Sequence, residues 1–189
     1  MAQAFRPASR CISPAALAAE VKLLTIPYRG QTSRSTYFVT ANTFRKKNLL
    51  QSERMASLFC ETLFHYRDSG KFLLHEFVVM PNHFHLLLTI PEGMTLERAM
   101  QCVKGGFSYR ARKLVGDCEI WQTSFLDRRV RDSEEYRKFQ RYVQQNPAAA
   151  GLDRDAPAYR CSSGYSGYTL DDVPQGLKPK QTTVPFPQA

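Results

Sequence analysis

The sequence predicts an α+β fold, a ferredoxin-like β-α-β-β-α-β antiparallel sheet with an added C-terminal helix. Three observations lead there. Segments rich in β-branched and aromatic residues alternate with segments whose apolar residues recur at helical spacing. Two of the strand segments are parted only by Pro81-Asn82, a turn so short that they form an antiparallel hairpin. A further helical pattern follows the last strand, beyond what the basic fold requires.

The elements follow in order. "STYFVTANTF" (35–44) is β-branched and aromatic, hence a strand. In "SERMASLFCETLFHYRDSG" Met55, Leu58, Phe59, Thr62, Leu63 and Tyr66 fall at helical spacing and Gly70 stops the helix. "KFLLHEFVVM" and "HFHLLLTI" are the arms of the hairpin. "TLERAMQCVKGGFSYRARKLVG" is a second helix, opened by Thr95 and weakened by Gly105-Gly106. "SFLDRRV" is the fourth strand. In "DSEEYRKFQRYVQQNP" Asp132 and Glu135 make an acidic variant of a capping box, and the residue before Pro147 is the expected terminus. Residues 1–34 read as a basic, weakly structured arm, and 156–189, rich in Gly, Pro and Ser, as an extended or disordered tail. That leaves 35–155 as the folded domain. A sheet of this kind hosts many functions, so the fold decides nothing about chemistry.

Charge narrows the partners. The chain has 26 Lys and Arg against 17 Asp and Glu, a net charge of +9, which attracts polyanions and puts nucleic acid first. The five cysteines are odd in number and lack a C-x-x-C pair, against a disulfide framework or zinc knuckle and in keeping with a reducing cytosol. No apolar run approaches the roughly 20 residues that span a bilayer, and Glu20 and Lys22 interrupt the only stretch that could serve as a signal peptide. The expectation is a cytoplasmic protein with no membrane partner.

Three constellations could carry chemistry. Side chains alternate along a strand, so His83 and His85 share a face, roughly 6.6 Å apart, while Phe84, Leu86 and Leu88 point to the core. Two such imidazoles can share one metal ion; the pair also suits an edge where each ring is solvated or internally bonded. On the last helix Tyr136, Phe139 and Val143 make the apolar stripe, and Tyr142 and Asn146, four apart, stack at its margin. They are either core edge plus a helix C-cap, or a nucleophilic phenol beside a metal ligand. A phenol is weak at its free pKa near 10, so the second role needs a metal to polarise a phosphate. Finally, "KGGFSYRARK" interleaves Lys104, Arg110, Arg112 and Lys113 with Phe107 and Tyr109. Cations that track a phosphate backbone, with aromatic faces for unpaired bases, suit single-stranded DNA; a solvated helix face with Phe107 in the core has the same pattern. Arg45, Lys46, Lys47, Arg128 and Arg129 add positive charge.

In combination, "VVMPNHFHLLLTIPEG", the "KGGFSYR" helix and "IWQTSFLDRRVRDSEEYRKFQRYVQQNPAAAGL" resemble the single-tyrosine HUH transposases of bacterial insertion sequences, most of all the REP-associated tyrosine transposase branch. The resemblance covers 35–155 and rests on H-x-H after a P-N turn, W-Q-x-x-F, and Y-[IV]-x-x-N-P followed by A-G-L. It implies that His83 and His85 hold a divalent metal, Mg²⁺ or Mn²⁺, with Asn146 as third protein ligand. It implies that Tyr142 attacks single-stranded DNA, leaving a 5′-phosphotyrosine link and a free 3′-hydroxyl. The implied substrate is a short hairpin formed by imperfect palindromic repeats, gripped by the basic and aromatic residues named above. The implied activity is nicking and strand transfer by a metal-dependent endonuclease, acting as monomer or homodimer. Tyr136 is the other candidate nucleophile, but motif register and the partner Asn146 favour Tyr142.

Two rival classes differ in what they require. A catalytically inactive hairpin-DNA-binding protein of the same fold would not need His83, His85, Tyr142 and Asn146 to converge. An RNA-binding domain would carry the K/R-G-F/Y-G/A-F-V-x-F/Y pattern on a central strand, which "HFHLLLTI" lacks.

Overall fold

The computed structural model describes residues 30, 33–152, 159–174, 176 and 177. Nearly all of the expected N-terminal arm and the end of the expected tail lie outside the described residues. The elements are β1 (Ser35–Asn42), α1 (Glu53–Asp68), β2 (Leu73–Met80), β3 (His83–Ile90), α2 (Leu96–Val115), β4 (Leu126–Arg129) and α3 (Ser133–Ala149). A short 3₁₀ turn, Phe44–Lys46, follows β1. The four strands form one antiparallel sheet in the order β2-β3-β1-β4. This is the predicted ferredoxin-like order with its added helix.

Alternation along the strands splits the molecule into two layers of core. Tyr37, Val39, Phe84, Leu86 and Leu88 face α1 and α2, where Phe59, Leu63, Val103 and Phe107 meet them. Phe38, Val78 and Leu87 face the other way, against Tyr136, Phe139 and Val143 of α3. Phe38 and Phe139 stack with centroids 4.4 Å apart, a contact worth about 0.5–1.5 kcal/mol beyond its buried area. The sheet is therefore covered on both faces, and α3 is fixed to it by the stripe read from its periodicity.

Local signals set the helix ends. Ser52 and Thr95 cap α1 and α2 by accepting from Met55 and Arg98 backbone N–H groups. At α3, Asp132 accepts from the Glu135 N–H at 2.8 Å, whereas the Glu135 carboxylate accepts from the Arg131 N–H rather than from Asp132. The capping box is thus half reciprocal.

Three sequence expectations change. First, α2 runs unbroken through Gly105-Gly106. A Cβ on Gly106 would sit 2.6 Å from the Tyr66 ring, so this glycine allows α1 and α2 to close up rather than loosening the helix. Second, α3 continues past Asn146 through Pro147 to Ala149. Proline near the end forfeits one hydrogen bond, which the last turn tolerates. Third, residues 159–174 of the expected tail form neither helix nor strand, yet they pack closely as a strap along β2. Val79 N–H donates to the Cys161 carbonyl, Ser163 N–H to Phe77 and Asp171 N–H to Leu74. The Asp171 carboxylate accepts from the Arg67 guanidinium at 2.9 and 3.0 Å and from Leu74 N–H at 2.7 Å. Cys161, Tyr168 and Leu170 complete the first core layer.

One irregularity serves α3. A bulge in β2 between Leu74 and Glu76 turns two consecutive polar side chains to the same face. His75 reaches Thr89 at 2.8 Å. Glu76 accepts from Gln140 and Gln144 of α3 at 2.7 and 3.2 Å, and Ser163 of the strap donates to its other oxygen. Buried Glu76 thereby fixes the register of α3 on the sheet. Among the described residues no helix is long and apolar enough to cross a membrane, and the described cysteines are free thiols.

Candidate active site

The α3 face of the sheet opens at one end into a cleft of about 580 Å³, lined by His83, His85, Tyr142, Lys46 and the Gln122–Leu126 segment among others. Each side chain is there for a local reason. His83 and His85 stand at the head of β3, two residues apart on one face, with ring centroids 4.8 Å apart. Tyr142 rises from α3, one helical step past the Phe139 that anchors that helix to Phe38.

Both imidazoles are held by their Nδ1 atoms. His83 Nδ1–H donates to Asn82 Oδ1 at 2.7 Å, and His85 Nδ1 lies 2.7 Å from Oγ1 of Thr40, its register partner on β1. His85 also stacks on Phe38 at 5.4 Å. Its Nε2 faces the Tyr142 hydroxyl at 3.5 Å. Burial lowers the His83 pKa to about 4, helped by the charge of Lys46, and holds His85 well below its ordinary value, helped by His83. Both shifts favour the neutral ring, the form in which an imidazole can offer a lone pair.

Burial raises the Tyr142 pKa above its ordinary value, and a side-chain hydrogen bond from Asn146 opposes that shift. Asn146 is buried in the last turn of α3, inside the helix rather than capping it. It is near enough to the phenol to oppose that shift, and it does not line the cleft. Tyr136 is buried against the second core layer and His75, away from His83 and His85. The structure therefore brings His83, His85 and Tyr142 together, with Asn146 behind the phenol and Tyr136 apart.

The donor set can be tested against a divalent cation. Ligating histidines are typically oriented by a hydrogen bond to their second nitrogen, and both rings have one. Among the described residues no cluster of three or more His, Cys, Asp or Glu side chains exists. A cation held by His83 and His85 would therefore complete its shell with oxygens of substrate, water or an amide. Two imidazoles with oxygen donors suit Mn²⁺ better than Mg²⁺ by ligand softness.

The basic residues divide. Lys46 lines the cleft. It and Arg45 both have φ of 53°, a left-handed conformation that costs non-glycine residues energy and concentrates at functional sites. Buried Thr43 holds this turn by donating to the Lys47 and Asn82 carbonyls at 2.7 and 3.0 Å. Arg45 lies over Phe44, and Lys47 is exposed. Phe107 is 0 % exposed in the core, so it cannot stack on a base as expected. Lys104 donates to the Gln122 carbonyl and so braces the cleft wall, joined by Trp121 Nε1–H donating to the Lys104 carbonyl. Arg110 is engaged by Glu61 and Thr62, and Arg128 by Glu135. Tyr109, 69 % exposed, carries Lys113 over its ring at 4.9 Å, and exposed Arg112 pairs with Asp117. Arg129 is half-buried at the far end of β4.

Sequence reasoning missed Thr40, Asn82 and Phe38. Only the strand register reveals Thr40 and Phe38 beside His85; Asn82, in the P-N turn, reads from sequence solely as a turn residue.

Against known proteins, residues 31–146 match the family model described as "Transposase IS200 like". The chain is 26 % identical over 151 residues to the REP-associated tyrosine transposase of Escherichia coli K12, across 76 % of this chain and 82 % of that protein. Its fold is similar to a solved REP-associated tyrosine transposase bound to a REP hairpin, with a TM-score of 0.62 and 23 % identity over 79 % of this chain and 92 % of the other.

Proposed function

This chain belongs to the IS200-like transposase family, and from that premise we propose that Tyr142 cleaves and rejoins single-stranded DNA at hairpin-containing repeats. The observation that carries the reading is the Tyr142 hydroxyl, 3.5 Å from His85 Nε2, in the cleft that His83 also lines. At 3.5 Å the phenol is in contact with His85 Nε2, so a phosphate entering the cleft would require it to turn aside, and would then have the nucleophile and the imidazole-held charge at hand.

Tyr142 Oη attacks phosphorus as it gives up its proton, and the bond to the 3′-oxygen breaks. The 3′-oxygen takes a proton and leaves as a hydroxyl, while the 5′-phosphate remains on the tyrosine. Attack by another 3′-hydroxyl reverses the step and joins a new strand, so the sum is transesterification with no outside energy. Mg²⁺ or Mn²⁺ on His83 and His85 would supply charge to polarise the scissile phosphate and offset the charge of the in-line transition state. Asn146, one turn beyond the phenol, steadies it or turns to serve as the third ligand. Lys46, from its strained turn, contributes a further cation to the same phosphate. Exposed Arg45, Lys47, Tyr109, Arg112 and Lys113 contact the remaining strand.

The hairpin substrate is carried over from the solved relative, which is bound to one. The test is incubation with labelled single strands bearing palindromic repeats, followed by denaturing electrophoresis. A covalent protein–DNA band that requires divalent metal is expected. Tight hairpin binding without any adduct would make the chain a binding protein only.

A further inference from the structure

Two imidazoles make an incomplete shell for a divalent cation, and hard ions of this class complete theirs with oxygen. Thr40, Asn42, Asn82, Gln122, Ser124 and Tyr142 bring side-chain oxygens to the cleft lining. Most of them are engaged or set apart. Thr40 holds His85 Nδ1 and Asn82 holds His83 Nδ1, each at 2.7 Å. The hydroxyl of Tyr142, the proposed nucleophile, faces His85 Nε2. Gln122 and Ser124 stand on the irregular segment before β4 rather than on the sheet beside the histidines. Asn146 is outside the lining altogether.

Asn42 is placed differently. It ends β1 directly opposite His83 in the register, as Thr40 stands opposite His85. Residues paired in this way project from the same face, with Cβ atoms about 4.5–5.5 Å apart. Thr40 and Asn42 are the only residues of β1 that are not buried, and both line the cleft. The backbone of Asn42 is fixed from both sides. β3 pairs with it on one, and on the other Gln122 N–H donates to its carbonyl at 3.0 Å. Its side-chain amide, by contrast, has no hydrogen-bond partner among the described residues. A rigid backbone that carries an uncommitted oxygen beside His83 is what a ligand position requires.

We propose that Asn42 gives its amide oxygen to the cation on His83 and His85, as their third protein ligand in preference to Asn146. This rests on the metal-assisted reading above and fills the donor position which that reading leaves open. The charges of the cleft add a consequence. Lys46 lines it, and among the described residues no acidic side chain does. A neutral His-His-Asn set beside an ammonium holds a cation weakly until a phosphate brings negative charge. Ion and DNA therefore bind better together than apart, and by linkage each strengthens the other equally.

Mn²⁺ is titrated into the full chain, with and without a hairpin strand, and read by its electron paramagnetic signal. Asn42→Ala is expected to lower the affinity by about tenfold or more, and by more than Asn146→Ala does. Asn42→Asp, with a charged oxygen at the same place, should raise the affinity, a gain that misfolding could not produce. Gln122→Glu adds the same charge to another part of the lining and should gain less. Asn42→Cys offers a soft thiolate instead. With Cd²⁺ it should show thiolate-to-cadmium absorption beyond that of the chain's own cysteines, and His83→Ala in the same chain should remove the excess. Unchanged Mn²⁺ affinity in Asn42→Ala would overturn the assignment. So would a greater loss in Asn146→Ala, or equal gains from Asn42→Asp and Gln122→Glu. Failure of the unaltered chain to take up Mn²⁺ even beside DNA would bring down the metal-assisted reading itself.

Discussion

The hydroxyl of Tyr142 lies 3.5 Å from Nε2 of His85, although 57 residues separate them in the chain. Tyr136 belongs instead to the second core layer, with His75 as its aromatic neighbour at 6.1 Å between ring centroids. Tyr142→Phe is expected to abolish the covalent DNA adduct while leaving hairpin affinity within about twofold. Tyr136→Phe is expected to retain the adduct. An adduct in the first variant and not the second would move the nucleophile.

The two residues that hold the imidazoles give a subtler test. Replacing a partner that orients a ligating histidine typically costs 10–100-fold in metal affinity or activity. Thr40→Val and Asn82→Ala should each weaken Mn²⁺ binding within that range, read by calorimetry or by the Mn²⁺ electron paramagnetic signal. His83→Ala and His85→Ala should lose metal-dependent cleavage altogether. Undiminished cleavage in chelator would remove the cation from the mechanism.

The adjacent glycines of α2 should behave oppositely. Nothing lies within 4 Å of a Cβ placed on Gly105, whereas one on Gly106 meets the Tyr66 ring at 2.6 Å. Gly105→Ala should stabilise by roughly 0.8–1 kcal/mol through helix propensity. Gly106→Ala should forfeit that gain, because Tyr66 must swing out of its contact between the helices. Urea midpoints of the two variants on opposite sides of the parent would meet this expectation.

Alkali should unfold the protein by a route that starts at buried thiol and phenol groups. Burial pushes the Cys60 thiol up to about 12 from 9.0 and the Tyr159 phenol up to about 12 from 10.0, and raises Tyr136 and Tyr168 as well. In the unfolded chain these groups ionise above pH 9 and 10, while in the folded chain they keep their protons. Their contribution is therefore complete below pH 9 and lost as pH rises toward 12, at about 1.4 kcal/mol per unit for each fully affected group. A urea midpoint that is flat to pH 9 and then falls, less steeply in Cys60→Ala, is the expected result.

Much of the fold was legible because it rests on local pattern. β3 is a short apolar run headed by two histidines, and the Pro81-Asn82 turn makes it the hairpin partner of β2. The histidines were legible for the same reason. What escaped was long-range or spacing-blind. The strap has no periodicity to read, since it is fixed by pairs such as Arg67–Asp171, 104 residues apart. Gly106 reads as a helix breaker until Tyr66 is seen opposite it. Phe107 shares its sequence window with true surface cations, and the helical phase that takes it inward also sends Tyr109 outward. Asn146 reads from sequence as a helix end or a ligand, and its influence on the Tyr142 phenol is a third role that spacing allows without specifying.

The strap also decides how copies of this chain can meet. An open strand edge is a template on which another chain can add itself, and β2 would be such an edge, eight residues long and largely apolar. Cys161, Ser163 and Asp171 occupy its hydrogen-bonding positions from within the same chain. What remains for pairing between molecules is β4, four residues with two arginines and an aspartate, a short and charged border that discourages uncontrolled stacking. Loss of the strap would thus convert a protein with one guarded border into one with a long adhesive seam, and precipitation would be its first sign.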